Sequence, residues 1–372
     1  MSQWFTDSFK SEFERTSEQL GRFNLAVFGK TGVGKSTLIN AIFGEEVART
    51  GIGEPVTRGS HLYLDKRGRL GLIDTEGLEV GRDDKQLIGD LRKLIRTTRR
   101  LPLAEQMHVA WYCVRPMDRR FEDSEADFIR ELDRLGVPTL VVLTQVPRDD
   151  QGRFHPDAIA MAHHIADMGL PIVGHPHMTN AARDRFTGQP AHGLMELLRE
   201  TFRTTPEAVH EALASAQTID PQAKKSVAQR AVTAAAATAA GVAATPIPFA
   251  DAAALVPIQL GMMARISHVF NIPFDRAAML AVASTSAATV GGRTAVTNLI
   301  KLLPGAGSIT GGVIGAGVAS AFTFAMGQAW ISVCERVAQG RFRTASGVLD
   351  NAAVRKAFTD EFARRAPQIR RE

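Results

Sequence analysis

The run from residue 23 to residue 44 constrains the fold of this chain more than any other part, and it reads FNLAVFGKTGVGKSTLINAIFG. The phosphate-binding pattern G-x-x-x-x-G-K-[ST] is fulfilled here by four residues, Gly29, Gly34, Lys35 and Ser36. The apolar residues 25–28 predict a buried strand before the pattern, and residues 36–43 have helical spacing. A glycine-rich turn between a strand and a helix binds nucleotide phosphates at the helix N-terminus. The sequence therefore predicts a nucleotide site.

Each part of this loop has an expected role in holding a nucleotide. Backbone N–H groups are expected to surround the phosphates, Lys35 to place a positive charge beside the β- and γ-phosphates, and Ser36 to bind Mg²⁺. The predicted nucleotide-binding residues of the loop are Gly29, Lys30, Thr31, Gly32, Val33, Gly34, Lys35, Ser36 and Thr37.

A second motif lies downstream, where residues 69–77 read RLGLIDTEG and end in the D-x-x-G pattern of a GTPase switch II. Asp74 at the end of this apolar run is expected to hold Mg²⁺ through water, and Gly77 to contact nucleotide. Thr57, in a loop between the first helix and this strand, is the candidate switch I threonine for Mg²⁺ and the γ-phosphate. The predicted metal ligands are Ser36, Thr57 and Asp74, and the predicted catalytic residues are Thr57 and Lys35.

Two further apolar runs, residues 108–114 and 137–144, predict strands, and residues 123–135 between them predict a helix. Strands that alternate with helices indicate a parallel sheet. The next apolar segment, residues 170–173, predicts one more strand, followed by a loop at Asn180 and Ala181 that corresponds to the S-A-K loop of GTPases.

The base-recognition region departs from the GTPase pattern N-K-x-D, whose Asp accepts hydrogen bonds from guanine. The matching residues are Thr144, Gln145, Val146 and Pro147, so proline stands where the Asp is expected. Either Asp149 or Asp150 reaches the base from a longer loop, or guanine specificity is weakened. The predicted base-contacting residues are Thr144, Gln145, Asp149, Asn180 and Ala181.

The segments GKTGVGKSTLINAIFG, DTEG, WYCV and VVLTQV resemble the TRAFAC-class GTPases related to Era, septins, the Toc receptors and the immunity-associated GTPases. More closely, they resemble bacterial proteins that join such a G domain to an alanine- and glycine-rich helical domain of unknown function. The resemblance is strong at residues 29–37 and 74–77, moderate at Thr57, and weak around Gln145 and Asn180. It implies GTP or GDP and Mg²⁺ as ligands.

Slow hydrolysis is expected, because Leu78 follows the D-x-x-G pattern where Ras carries a glutamine that orients water. A potassium-binding asparagine of some relatives corresponds here to Gly32. The missing group would then come from a G-domain homodimer or another protein. Arg58 and Arg82, in the predicted switch loops, are candidate arginine fingers, and solvated loop arginines are the favoured alternative.

The sequence predicts three parts: an amphipathic N-terminal helix at residues 1–20, a G domain at 21–204 and a helical domain at 205–372. Residues 231–250, 277–292 and 302–334 carry no charge and are rich in Ala, Gly, Ser and Thr. Their length permits membrane association through residues 231–334. A compact helical bundle fits the same composition.

The N-terminal helix carries Phe5, Phe9 and Phe13 on one face, which we expect to pack on the C-terminal helices or to lie on a membrane. The basic stretch 92–100 and the C-terminal arginines suit anionic lipid or nucleic acid. Since no nucleic-acid-binding fold is recognisable, nucleic acid is disfavoured as a partner. Cys113 and Cys334, the two cysteines, form no disulfide framework and are expected in the core of a cytoplasmic protein.

Together these features predict a chain of class α/β, with a P-loop GTPase domain on a mostly parallel sheet and an all-α domain after it. The expected function is a slow, Mg²⁺-dependent GTPase switch coupled to a membrane or protein partner, located in the cytoplasm or at the inner face of the membrane. A soluble ribosome- or RNA-associated GTPase and a structural nucleotide-binding module with negligible turnover are the alternatives.

Overall fold

The computed structural model of the chain describes residues 3–44, 52–57, 60–74, 84–184, 187–243, 251–273, 316–344 and 349–365. The chain divides into two compact units. Residues 21–220 form the sheet unit, and residues 1–20 and 221–372 form the helical unit. The sequence places the domain boundary after residue 204, whereas the units divide after Asp220, because Val209, Leu213 and Ala216 lie in the core of the sheet unit.

The sheet unit is built on one seven-stranded sheet in the order β2-β3-β4-β1-β5-β6-β7. The strands are β1 (Phe23–Phe28), β2 (Ile52–Thr57), β3 (Ser60–Leu64), β4 (Leu70–Asp74), β5 (Val109–Val114), β6 (Thr139–Leu143) and β7 (His177–Met178). Strands β4, β1, β5, β6 and β7 pair in parallel, and β3 pairs antiparallel with both β2 and β4. The carboxyl ends of the parallel strands therefore share one edge of the sheet.

Helices cover both faces of this sheet. Helix α1 (Gln3–Gln19) belongs to the helical unit, and the helices of the sheet unit follow it in chain order. They are α2 (Lys35–Phe43), α3 (Asp84–Thr98), α4 (Asp123–Arg134), α5 (Pro156–Asp167), α6 (Leu194–Thr204) and α7 (His210–Ala216). One core joins α3, α4 and α5 to one face, and a second core joins α2, α6 and α7 to the other. Because β1 and β5 are buried on both faces, their residues are mostly apolar, with Asn24 as a buried amide in β1.

Two parts of the sheet differ from the sequence-based expectation. The strand predicted at residues 170–173 does not form, and the last strand is His177–Met178. Pro171 has no N–H to donate to a ladder, and only Val173 N of this segment bonds Thr139 O, at 2.8 Å. The antiparallel hairpin of β2 and β3 was not expected. Thr57 is therefore the last residue of a strand and does not lie in a loop.

The helical unit contains α1 (Gln3–Gln19), α8 (Pro221–Ala243), α9 (Asp251–Val269), α10 (Ala316–Ala338) and α11 (Asn351–Arg365). Helix α1 packs against α9, where His268 Nε2 lies 2.9 Å from Phe13 O and the two rings are 3.9 Å apart. Phe9 is fully buried. The predicted class, a mostly parallel α/β domain followed by a helical domain, is confirmed.

Close helix packing and a few buried polar contacts hold the helical unit together. Trp330 of α10 is fully buried and donates from Nε1 to Met263 O of α9 at 3.0 Å. Buried Glu361 of α11 accepts from Arg336, at 2.6 Å, and from Arg364 and Arg365. Cys334 is buried as a free thiol, as is Cys113 in β5.

Within the described residues, no helix combines the length and the apolar character that crossing a bilayer requires. Parts of the segments considered above for membrane association, residues 244–250 and 274–315, lie outside the described residues. Phe13 contacts His268 of α9, and Phe9 is buried beside Phe13. The side chain of Phe5 lies outside the described part of the chain.

Helix α10 lies close to α8 and α9 at Gly327, and this contact predicts a difference between two substitutions. A Cβ at Gly327 would come within 2.5 Å of a Val232 methyl and 2.8 Å of Met262 Sδ, whereas nothing lies within 4 Å of one at Gly317. We expect Gly327→Ala to lower the free energy of unfolding by about 1–3 kcal/mol through overpacking. Gly317→Ala, the matched control on the same helix, should be neutral or stabilise by up to about 1 kcal/mol. Equal thermal midpoints for the two variants would contradict this packing.

Candidate functional site

The predicted phosphate loop lies at the edge where the parallel strands end. Residues 29–34 follow β1, Asp74 ends the neighbouring strand β4, and Thr144 directly follows β6. In open α/β sheets, ligands bind outside the carboxyl ends of the strands. The fold therefore brings the P-loop and the D-x-x-G strand to the same edge.

Gly29 is required because the loop leaves β1 against the backbone of β5. Its φ is +126°, and an added Cβ would come within 2.2 Å of Cys113 O. Gly34 caps α2 with φ +100°. Both conformations favour glycine. A side chain at Gly29 would push the loop away from the sheet and so displace the N-terminus of α2.

Lys35 is held at the mouth of the loop by the loop itself. Its Nζ donates to Gly29 O at 2.7 Å and to Lys30 O at 2.9 Å. Ser36 and Thr37, in the first turn of α2, are exposed to solvent. A helix N-terminus, a half-buried ammonium, an exposed hydroxyl and a loop with glycine at positions 29, 32 and 34 form a donor set that fits nucleotide phosphates and Mg²⁺.

The side chain of Lys30 ties the P-loop to the start of α4. Its Nζ lies 3.2 Å from Glu125 Oε2 and 3.3 Å from Glu122 Oε2. Burial lowers the pKa of Lys30, but the carboxylates of Glu125 and Glu122 outweigh burial and raise it above the usual value. Lys30 therefore stays charged as a structural anchor, a role that its position in the loop did not indicate.

Glu125 is the buried centre of this anchor, with 2% of its surface exposed. It accepts from Tyr112 OH at 3.3 Å and from the backbone N–H of Glu122 at 2.9 Å. Burial, reinforced by the Glu125 charge, raises the pKa of Tyr112 well above its usual value, so the phenol remains a donor. Since a buried carboxylate without partners is costly, this network fixes α4 relative to the loop.

A cleft of about 220 Å³ adjoins the loop at Lys30 and Val33. Arg115, Asp118 and Arg120, which follow β5, line its outer side. Neither arginine stood out in the sequence, because their nearness to the P-loop depends on the pairing of β1 with β5.

Thr144 and Gln145 clamp the other side of the loop. Thr144 Oγ1 donates to Val33 O at 2.5 Å, and Gln145 Nε2 donates to Gly32 O at 3.2 Å. Gln145 adopts a left-handed backbone with φ +52°. The first two residues of the replaced N-K-x-D pattern thus bind the P-loop.

The loop after β7 lies beside the loop after β6. Val146 N donates to Thr179 O at 3.0 Å, and Asn180 exchanges backbone hydrogen bonds with His192 at 2.9 and 3.0 Å. His192 Nε2 lies 3.0 Å from Val146 O, and burial lowers the pKa of His192 below its usual value. Asn180 and Ala181 are therefore close to Thr144 and Gln145, as the predicted base site requires.

Asp149 organises its own turn. Its Oδ1 accepts from the backbone N–H of Gln151 and Arg153, both at 2.9 Å, and its Oδ2 accepts from Arg153 Nε at 2.7 Å. The backbone bond from Arg153 and then its guanidinium lower the pKa of Asp149. Only the remaining lone pairs of the carboxylate are left for a base, and guanine recognition by Asp149 stays a prediction.

The switch residues are described only in part. Thr57 ends β2 two strands from Asp74, so about 10 Å separates their backbones across the sheet. Thr57 therefore does not lie beside Asp74, and its metal role stays a prediction. Gly77, Leu78, Arg58 and Arg82 lie outside the described residues.

A curated protein is similar to part of the chain. A segment of 90 residues is 33% identical to magnetosome membrane protein 22 of Magnetospirillum gryphiswaldense, covering 23% of this chain and 46% of that protein. The chain thus spans about half the length of this curated relative.

Two solved structures are similar at low scores. Translation elongation factor SelB of Methanococcus maripaludis, in the apo form, is 18% identical over 47% of this chain and 33% of its own, with a TM-score of 0.29. An Aquifex aeolicus Era variant bound to GDP.AlF4⁻ is 17% identical over 59% of this chain and 68% of its own, with a TM-score of 0.34.

Two family models match consecutive parts of the chain. Residues 24–145 match the family described as 50S ribosome-binding GTPase, and residues 209–357 match a domain of unknown function, DUF697. The first match includes the P-loop, the Asp74 strand and the Thr144–Gln145 clamp. The chain therefore joins a P-loop GTPase domain of the first family to a C-terminal domain of the second.

Proposed function

We propose that this chain is a GTP-binding switch that hydrolyses GTP slowly and couples its nucleotide state to a membrane or protein partner through the helical unit. The observation that carries the proposal is the P-loop geometry, in which Lys35 is held by two loop carbonyls at the N-terminus of α2. The membrane part of the proposal is supported by the name of the magnetosome relative.

In this proposal Lys35 and the loop N–H groups bind the phosphates, and Ser36 and Asp74 would hold Mg²⁺. Thr57, which does not lie beside Asp74, would have to move to complete this metal site. The metal ion, when bound, neutralises charge on the phosphate oxygens. Glu125, acting through Lys30, keeps the loop in its binding shape. Thr144 and Gln145 act in the same way from β6.

Slow hydrolysis is expected from two residues in or next to the nucleotide-binding motifs of the sequence. Leu78 offers no hydrogen bond to water, and Gly32, which is exposed with φ +80°, offers no side-chain ligand for a monovalent cation. A group that completes the site would come from a second G domain or from another protein. Arg58 and Arg82 remain the candidate fingers.

Replacing Lys35 tests the phosphate site. Lys35→Ala removes a charged donor to the phosphates, which contributes about 1.5–3 kcal/mol, so nucleotide affinity should fall about 10- to 100-fold. Titration with a fluorescent GTP analogue measures the loss, and the thermal midpoint checks that the fold is intact. Lys93→Ala, an exposed cation of α3, is the control and should bind like the native protein. Unchanged affinity in Lys35→Ala would refute the site.

A test of base preference shows whether Asp149 or Asp150 contacts guanine. If a carboxylate accepts from guanine N1–H and the exocyclic amine, the native protein should prefer GTP over ATP. Asn at the reading position replaces an acceptor by a donor and should shift preference from GTP towards XTP, whose C2 carries a carbonyl. Asp149→Asn and Asp150→Asn are therefore compared in competition binding. Equal GTP and ATP affinity in the native protein would show that neither aspartate reads the base.

The proposed switch is tested by measuring whether GTP hydrolysis rises with protein concentration or with a lipid surface. An arginine supplied in trans raises hydrolysis by about 10³- to 10⁵-fold, so even partial dimer formation should raise specific activity at least about tenfold as protein concentration increases. Single-turnover GTP hydrolysis is measured across a wide range of protein concentration, with and without anionic liposomes. A flat profile in all conditions would favour a structural nucleotide-binding module.

A further inference from the structure

A basic groove of about 430 Å³ runs along the outer face of α3, well apart from the residues that form the P-loop. It is lined by Gly89, Arg92, Lys93, Arg96, Thr97 and Arg100. Nothing lies within 4 Å of a Cβ placed on Gly89, so the floor of the groove is open. The spacing of Arg92 and Arg96 places two guanidinium groups along one side of the helix, and Arg100, two residues past its end, lines the same groove.

Most cations of this groove have no carboxylate partner among the described residues. Arg92 binds Glu131 at 2.5 Å, and this ion pair raises the pKa of Arg92. Lys93, Arg96 and Arg100 are exposed and make no ion pair with a carboxylate in the described part of the chain. Because exposed like charges along one helix face repel each other, such a face is stabilised by an anionic ligand.

Two apolar side chains lie directly after this helix. Leu101 and Leu103 are each 39% exposed, and they are two of the four exposed large hydrophobic residues in the described ranges. Their backbone is fixed, because Gln106 Nε2 donates to Leu101 O at 2.9 Å and His108 Nε2 lies 2.8 Å from Leu103 O. Asn24 Nδ2 also donates to Ala104 O at 3.0 Å. Because Leu101 directly follows Arg100, we treat the groove and these two apolar side chains as one surface.

The position of this surface leaves the nucleotide site accessible. Helix α3 connects β4, which ends at Asp74, to the start of β5 at Val109. Since β4 and β5 run in the same direction, the end of α3 lies at the amino edge of the sheet, opposite the P-loop. A partner bound at Arg96, Arg100 and Leu101 would not block the mouth of the loop.

We propose that this surface binds an anionic phospholipid bilayer, with phosphate headgroups in the groove and Leu101 and Leu103 in the interface. Cations beside exposed apolar side chains suit a lipid surface. Nucleic acid fits less well, because no aromatic residue lines the groove to stack on bases. The proposal names the membrane contact of the switch put forward above and requires neither GTP nor its hydrolysis.

The test is sedimentation of the full chain with vesicles of phosphatidylcholine alone or with phosphatidylserine added, at low and high salt. The native protein should bind only the anionic vesicles, more weakly at high salt. Arg96→Gln with Arg100→Gln should lower the partition coefficient about 30-fold, since each cation near an anionic surface contributes about a factor of five. Leu101→Ser with Leu103→Ser should also weaken binding.

The matched control is Arg199→Gln with Arg203→Gln, which removes the same charge from exposed positions of α6 on the opposite face of the sheet. This control should sediment like the native protein. Equal binding by the groove variant, or no binding by the native protein, overturns the proposal. A native preference for single-stranded RNA over phosphatidylserine vesicles, lost in the groove variant, would also overturn it.

GTP affinity is measured on the same samples, so that the two proposals fail separately. The arginine double variant and the leucine double variant should both bind GTP like the native protein, since the substituted residues lie away from the P-loop. Lipid binding without GTP binding would refute the proposed switch and leave this surface standing. GTP binding without lipid binding would refute the lipid-binding surface and leave the proposed nucleotide site standing.

Discussion

The sheet unit depends on one steric constraint, the approach of the P-loop to the end of β5. At Gly29 the carbonyl of Cys113 leaves no space for a side chain. The loop can therefore turn tightly out of β1 and place the N-terminus of α2 at the edge of the sheet. Burial raises the pKa of the Cys113 thiol to about 12, so this neighbour is an inert packing residue. Phosphate-binding geometry is thus built into backbone packing.

Buried polar contacts hold this loop from two sides. Glu125 holds Lys30 from α4, and Thr144 holds Val33 from the end of β6. Each contact satisfies a group that would be costly to leave unpaired in the interior. Loss of either partner would disturb the same loop. The site is therefore organised before a ligand arrives, which lowers the cost of ordering it on binding.

The two units solve different physical problems. The sheet unit separates its surfaces, with the P-loop at the carboxyl edge and the basic end of α3 near the amino edge. The helical unit uses small residues to bring long helices close, as at Gly327, and the buried indole of Trp330 to join α10 to α9. Its apolar composition reflects this close packing in the described helices.

Local patterns in the sequence were enough for the P-loop, for β1, β4, β5 and β6, and for helices α2 and α4. Their signals lie in short runs, because strand burial and helix periodicity act over a few residues. The edge hairpin of β2 and β3 escaped this reasoning, since Gly53 and Pro55 weaken the strand signal. The strand expected at residues 170–173 does not form. Its apolar side chains favoured a strand in the sequence analysis, but Pro171 has no N–H to donate to the sheet.

The sequence by itself determined that the chain has a phosphate loop between a strand and a helix, and that an uncharged, alanine- and glycine-rich region follows. Only the tertiary structure decided what holds the loop. Lys30 meets Glu125 across 95 residues, and Thr144 meets Val33 across 111. Such contacts depend on the order of strands in the sheet. Strand order is set by packing over the whole unit, which hydrophobic periodicity does not encode.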